Sequence, residues 1–280
     1  MTKALKTVKN LCHSVDIMVE VRDARIPISS INPVIEKTLI NKPKLVLLHR
    51  SDLISKSDQK KLLYYYQHRN EHVLLTSTKT ESNMNTIVPT LLSIQTRKFI
   101  SVGCYFAVMG IPNVGKSSII RYIQRKSSTF QRNNSPLVGG IPGVTKQVQT
   151  TKVHNKPDIY MIDTPGIFLP SIEDPEVGLK MALCGSVKDS VVGEEEIADY
   201  LLFSMNRHGH FEYVKELNLE KPTDEITEVL THIMRRSGKD SLSAARFFLR
   251  KYREGKFGLF LLDELQSPVC KKQERITQSH

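Results

Sequence analysis

The segment Gly110-Ile111-Pro112-Asn113-Val114-Gly115-Lys116-Ser117-Ser118 fits the spacing G-x-x-x-x-G-K-[ST]. Each residue type in it has a job on a polyphosphate. The glycines let the backbone wrap so that N–H groups of Val114, Gly115 and their neighbours face phosphate oxygens. An apolar run, GCYFAVM, precedes the loop and a helical pattern follows from Ser117. That context puts Gly115 to Ser118 at a helix N-terminus, whose dipole also favours an anion. Lys116 has the reach to meet β and γ phosphates, and Ser117 offers a hydroxyl to Mg²⁺.

A second constellation lies downstream. In Met161-Ile162-Asp163-Thr164-Pro165-Gly166, an aspartate ends an apolar strand. That is where a Mg²⁺ partner is expected, with the Gly166 N–H offered to a γ-phosphate. D-T-P-G is more typical of GTPases than of ATPases. Between the two lies GGIPGVT, which ends in Thr145. Thr145 reads as a switch threonine on Mg²⁺ and the attacking water, or as a plain loop threonine.

The elements that position these groups follow from pattern. Strands are expected at Val15–Val21, Leu45–Leu48, Val73–Thr76, Gly103–Met109, Val148–Val153 and Ile159–Ile162. Helices are expected from Pro33 to about Ile40, at Lys56–Arg69, at Met84–Thr96 and from Ser117. Residues 127–147, rich in Ser, Asn, Pro and Gly, suggest a mobile loop. The alternation implies an α/β domain with a mostly parallel sheet covered by helices on both faces. From Glu176 helical periodicity takes over, so a boundary is placed near 168–175: an α/β domain over 1–170 and an all-helical domain over 171–280.

One feature of order stands out. KLVLLHRSDL ends a strand in His49-Arg50-Ser51-Asp52, and some 25 residues later Thr76-Ser77-Thr78-Lys79 ends another. These look like a degenerate N-K-x-D and an S-A-K, the segments that read guanine, yet they precede the phosphate loop. A parallel sheet tolerates a permuted visiting order if the old termini are joined and a surface loop is cut. This order, with Asp23-Ala24-Arg25-Ile26-Pro27, resembles the circularly permuted GTPases of the YlqF/YawG type. The segments GIPNVGKSS, VGGIPGVT, DTPGIFLPSIEDPEVGLKMALCGSV and VGEEEIADYLLF resemble the mitochondrial, ribosome-associated branch of that family.

The resemblance carries expectations. The fold is a circularly permuted P-loop GTPase domain followed by a small helical domain. GTP is the substrate and Mg²⁺ the cofactor. The nucleotide site draws on His49, Arg50, Ser51, Asp52, Ser77, Thr78, Lys79, Asn113, Val114, Gly115, Lys116, Ser117, Ser118 and Gly166. Lys116, Thr145 and Gly166 serve catalysis, and Ser117, Thr145 and Asp163 serve the metal. Asp52 would accept from guanine N1–H and N2–H₂, a donor pair that adenine lacks. The family asparagine is His49 here and the lysine is Arg50, whose stem and guanidinium would lie over the base. The competing reading is that HRSD is an ordinary strand end. Asn113 either caps its loop or binds K⁺, as in K⁺-activated relatives. Ile167 replaces the water-orienting glutamine of Ras-like enzymes, as the family does.

The family's N-terminal P-G-H-M tract would align with Met1 and the residues before it, and its histidine is absent from this sequence. That leaves either an internal start or slow hydrolysis. The expected partners are the mitochondrial large ribosomal subunit and its rRNA, met by a monomer in the matrix, peripheral to the inner membrane.

Composition narrows the alternatives. The net charge is +11 over 280 residues. Residues 1–170 carry 24 Lys and Arg against 10 Asp and Glu, residues 171–234 carry 5 against 14, and residues 235–280 carry 11 against 5. A basic body and tail suit a polyanion. In SLSAARFFLRKYRE, the apolar face of an amphipathic helix is flanked by Arg246, Arg250 and Arg253. That stripe is either a solvated face or a track for RNA phosphates. No run of about 18 apolar residues marks a membrane span. Four dispersed cysteines indicate a reducing compartment and no structural metal. A hydrolysis-deficient GTP-binding or RNA-docking protein is the alternative. The permuted order argues against an RNA-modification partner.

Overall fold

The computed structural model describes residues 12–38, 42–94, 103–131, 150–162 and 172–265. Six strands form one sheet: β1 (Ile17–Asp23), β2 (Lys44–His49), β3 (His72–Thr76), β4 (Cys104–Met109), β5 (Thr150–Asn155) and β6 (Asp158–Ile162). Their order is β3-β2-β1-β4-β6-β5. Every neighbouring pair is parallel except β5–β6, an antiparallel edge pair with an irregularity between Lys152 and His154.

Strand β1, at the centre, is buried along its whole length. Both of its faces are covered, and apart from Glu20, Arg22 and Asp23 its residues are apolar. Its alternate side chains divide the core. Ile17, Val19 and Val21 share a cluster with Leu45, Leu47, Phe106 and Val108, and with Ile87 and Leu91 of α3 (Ile87–Ile94) and Ile119 of α4 (Lys116–Gln131). On the opposite face, Met18 packs with Ala107, Met109 and Ile162. Val46 and Leu48 meet Leu62 and Tyr66 of α2 (Lys56–Gln67) there. A short helix, α1 (Pro33–Thr38), follows β1. Glu20 and Arg22 of β1 find partners under α2: Arg22 Nη2 lies 2.7 Å from Glu20 Oε2 and Arg22 Nη1 donates to the Tyr66 hydroxyl of α2 at 3.1 Å.

The expected strands and helices are present, with shifted ends. Residues 127–131, read from composition as loop, continue α4 to Gln131. Among described residues from 172 onward there is no strand. Helices α5 (Pro175–Leu183), α6 (Asp189–Val192), α7 (Glu194–Arg207), α8 (Glu212–Leu217), α9 (Ile226–Ser237) and α10 (Ser241–Arg253) form a helical unit. Sequence signals set their ends. Asp174 caps α5 with Pro175 at its first position, and Asp240 caps α10 by accepting from the Ser243 amide at 3.0 Å. The three glutamates of GEEE start α7, where the helix dipole favours them.

Past α10 the chain returns to the sheet. The Leu262 amide donates to the Arg25 carbonyl at 2.9 Å. The Asp263 carboxylate accepts from the Ile28 and Ser29 amides, each at 2.8 Å, and from the Ser29 hydroxyl at 2.5 Å. The D-A-R-I-P turn after β1 is thereby pinned by residues far along the chain.

Candidate nucleotide site

The C-terminal ends of β1, β2, β3 and β4 lie along one edge of the sheet, because these four strands run parallel. In open α/β sheets this edge is where ligands bind. It collects Asp23, His49 to Asp52, Thr76 to Lys79 and the loop from Gly110 to Lys116. Segments that sequence order separates are neighbours here, because β1 lies between β2 and β4.

The phosphate loop depends on glycine at two points. Gly110 (φ +146°) has no room for a Cβ, which would strike the Val21 carbonyl oxygen. Gly115 (φ +102°) lies flat against the His49 ring, and a Cβ there would strike it. Ile111 and Val114 anchor the loop in the core. Helix α4 starts at Lys116 and points its first amides toward the loop. The Lys116 ammonium donates to the Ile111 carbonyl at 2.5 Å. Burial lowers its pKa to about 8, so phosphate charge at this position would be met by a partly desolvated cation. Ser117, the next residue, is exposed.

His49 is 2% exposed. Its Nδ1 lies 3.2 Å from the Thr76 hydroxyl and its Nε2 lies 3.4 Å from the Thr78 hydroxyl. Burial, helped by the Arg50 charge, pulls its pKa down to about 4 against the opposing pull of Asp23 and Asp52. The ring is therefore neutral and joins the base segment to the S-T-K segment and to Gly115. Asp52 sits in a 3₁₀ turn (Ser51–Leu53) and accepts from the Ser77 hydroxyl at 2.5 Å. Ser77 is fixed in turn by the Lys79 and Thr80 amides at 3.2 and 3.3 Å. These bonds orient the Asp52 carboxylate from below.

Arg50 is tied to three other segments of the chain. Its backbone is left-handed (φ 60°). Its guanidinium turns toward the phosphate loop and the helical unit, donating to Asp23 Oδ2 (3.1 Å), the Cys184 carbonyl (3.2 Å) and the Asn113 carbonyl (2.8 Å). Asn113, also left-handed at φ 59°, donates from Nδ2 to the Gly185 carbonyl at 2.8 Å. Asp23 is fully buried and is also gripped by Arg25 through Nε and Nη2 at 3.0 and 2.9 Å. Burial pushes this carboxyl up, but Arg25 and Arg50 outweigh it and hold it below the usual carboxylate range. D-A-R was legible as a tract, but its role here was not, because the partners come from Arg50 and, through it, from residue 184.

Thr145, Asp163 and Gly166 lie outside the described residues. Among the described residues no cluster of three acidic, His or Cys side chains could hold a metal. An exposed serine hydroxyl beside a phosphate-binding loop does suit Mg²⁺, a hard cation that takes oxygen donors and keeps substrate phosphates as ligands. Ser117 is the described residue that would hold it.

The three arginines of α10 are not equivalent. Arg246 is an exposed partner of Glu194, at 2.8 Å. Arg250 is 64% exposed, with Glu254 4.0 Å away. Arg253 is committed inward, to Asp189 and to the Ala182 and Leu183 carbonyls. Between α9 and α10 lies a groove of about 690 Å³ that includes Arg236, Lys239, Arg246, Phe247, Arg250 and Lys251 in its lining. Arg250 and Lys251 both stand 5.4 Å from the Phe247 ring centroid. Apart from the arginines of α10, this cationic groove was not read from sequence. It needs α9 and α10 side by side.

The model for 50S ribosome-binding GTPases matches residues 105–243. The chain is 37% identical to the mouse mitochondrial ribosome-associated GTPase 1, over 96% of this chain and 90% of that one. It is 31% identical to ribosome biogenesis GTPase A of Priestia megaterium, over 94% of both. The chain belongs to the circularly permuted, ribosome-associated GTPases. Its fold is similar to the GNP-bound YlqF of T. maritima, with a TM-score of 0.67 at 20% identity, covering 95% of this chain and 99% of that one. The family's permuted order is the one seen here, with the strands that end in HRSD and STK preceding the phosphate-loop strand.

Proposed function

We propose that this chain binds and hydrolyses GTP as an assembly factor of the mitochondrial large ribosomal subunit, in support of ribosome biogenesis and mitochondrial translation. The observation that carries the reading is the convergence of HRSD, STK and GIPNVGKS on one sheet edge, in a chain whose relatives are named as ribosomal GTPases. Asp52, oriented by Ser77, reads the donor edge of guanine. Loop amides from Val114 to Ser118 and the N-terminus of α4 hold the phosphates. Lys116 stabilises charge that builds on the β–γ bridging region as the bond to the γ-phosphoryl group breaks. Mg²⁺, held by Ser117 with Thr145 and Asp163, neutralises phosphate charge when bound, and Gly166 donates its amide to the γ-phosphate. Asn113 serves a K⁺ ion through its amide oxygen, since its Nδ2 is taken by Gly185.

The groove between α9 and α10 is the docking face for rRNA, with Arg246 and Arg250 on phosphates and Arg253 shaping the helix from within. Placement is mitochondrial, in the matrix and peripheral to the inner membrane, as a monomer. No described helix is long and apolar enough to cross a membrane.

A second reading, a hydrolysis-deficient GTP-binding or RNA-docking protein, is favoured by His49, which cannot copy an asparagine amide and so weakens the hold on guanine. Co-sedimentation with mitochondrial large subunits, in KCl and Mg²⁺, tests the first reading. Pelleting with a non-hydrolysable GTP analogue, but not with GDP or an ATP analogue, is the expected result. Equal pelleting in every nucleotide state would remove the switch. Absence of phosphate release from GTP in the presence of subunits would select the second reading.

A further inference from the structure

The turn that follows α5 is gripped from two sides. From the nucleotide edge, Arg50 donates to the Cys184 carbonyl at 3.2 Å and Asn113 donates to the Gly185 carbonyl at 2.8 Å. From the helical unit, Arg253 of α10 donates to the Ala182 carbonyl at 2.8 Å and to the Leu183 carbonyl at 3.0 Å. It also closes a two-bond pair with Asp189, at 2.6 and 2.9 Å. Four successive carbonyls, 182 to 185, thus receive side-chain donors from opposite directions. They lie at a helix C-terminus, where the dipole places partial negative charge that suits cationic donors. The turn itself is packed: Ala182, Leu183 and Cys184 are buried. Arg50 is held on its far side by Asp23 and grips the Asn113 carbonyl as well. Asn113 is therefore fastened through both its main chain and its side chain.

We propose that the 182–185 turn is a mechanical link between helix α10 and the phosphate loop, with Arg253 and Arg50 as the positioning residues at its two ends. The inference rests on the edge of the sheet being a guanine-nucleotide site. It gives the docking helix a physical route to the nucleotide, and linkage makes the coupling reciprocal: what moves α10 changes GTP affinity, and GTP changes what α10 presents. Contiguous contacts alone do not establish coupling, so the test measures it directly.

The full chain is titrated with a fluorescent non-hydrolysable GTP analogue as wild type, Arg253→Ala, Arg50→Ala and the double variant. Arg253→Ala should weaken binding on the order of 5-fold, although it touches no nucleotide-site residue. The double variant should lose less than the product of the two single effects. Arg207→Ala, which removes another arginine–carboxylate pair of the helical unit (with Glu264, 3.4 Å), should bind like wild type.

A second readout covers the case in which Arg253→Ala fails to fold. Thiol labelling of Cys184 in the wild type, followed peptide by peptide, should change on adding the analogue, with Cys104 as the buried reference. Wild-type affinity in a folded Arg253→Ala, strictly additive variants, or Cys184 labelling indifferent to the analogue would each overturn the link. A wild-type chain that binds no analogue would overturn the nucleotide reading itself, and the link with it.

Discussion

At the sheet edge, Lys116 is drawn against the Ile111 carbonyl, His49 is sealed between two threonines and Gly115, and Asp52 is braced by Ser77. In the groove between α9 and α10, Arg250 stands 64% exposed, while Arg246 and Lys251 pair with Glu194 and Glu216 at 2.8 and 2.7 Å. In the proposed function both regions present cations to phosphate. The first fixes a few groups in a dry, shaped place, where a misplacement of about 1 Å costs activity. The second offers charge density in water, where each contact is modest and salt-dependent. A small ligand with defined geometry needs the former. A long polyanion, read by its backbone, needs only the latter.

The contrast can be broken most sharply at Lys116. Lys116→Ala should reduce GTP turnover on the order of 100-fold or more, because charge stabilisation in a pre-organised site is lost. Phosphate release measured with and without large subunits checks this.

Gly115→Ala comes next. The Cβ meets the His49 ring at a φ that L-residues rarely adopt, and about 1–3 kcal/mol of strain is expected from the backbone alone. The melting temperature should fall and analogue binding should be lost. His49→Ala in the same chain should restore part of the stability, because it removes the ring but not the φ. No restoration would mean that the ring is not the obstacle.

The third effect is titration of His49. Its folded pKa, about 4, lies below its unfolded value of 6.5. The folded state therefore resists protonation, so its contribution is intact above 6.5 and is lost as pH falls from 6.5 toward 4. The loss is up to about 3 kcal/mol. Denaturant unfolding at pH 7 and pH 4.5 should show a gap that shrinks in His49→Gln. Asp23 works at lower pH: its contribution is present above about 3.8 and disappears as pH falls through its depressed folded value.

The smallest effect is expected in the groove. Arg250→Ala should weaken subunit binding only a few-fold at physiological salt, and the slope of log affinity against log salt should drop by roughly one phosphate contact. A loss as large as that of a pinned residue would show that the groove is a shaped pocket too.

Much of the fold was legible because the strands are unusually plain. β4 is an apolar run with a motif at its end, and β1 opens on one, Ile17 to Val19, before its charged residues. The helix caps at Asp174 and Asp240 were written in local residue types. The end of the loop reading was missed at 127–131, because serines and a glutamine at the tail of α4 look like loop on composition. Arg253 was grouped with Arg246 and Arg250 because helical spacing puts all three on one stripe. Spacing cannot say which of them turns inward onto the Ala182 and Leu183 carbonyls and Asp189, because those partners come from other segments of the helical unit.

By itself the sequence determined the phosphate-loop motif, the presence ahead of it of segments resembling N-K-x-D and S-A-K, and the change from α/β to helical pattern. These are local properties of composition, period and spacing. Only the tertiary structure decided what Arg50 holds, what presses on Gly115, and that residues 182–185 lie between α10 and the phosphate loop. Those facts depend on parallel strands bringing four separate chain ends to one edge, and on a helical unit folding back onto it. Contacts across 63 to 134 residues of sequence, such as Arg50 to Asn113 and to Cys184, leave no periodic trace in the chain that makes them.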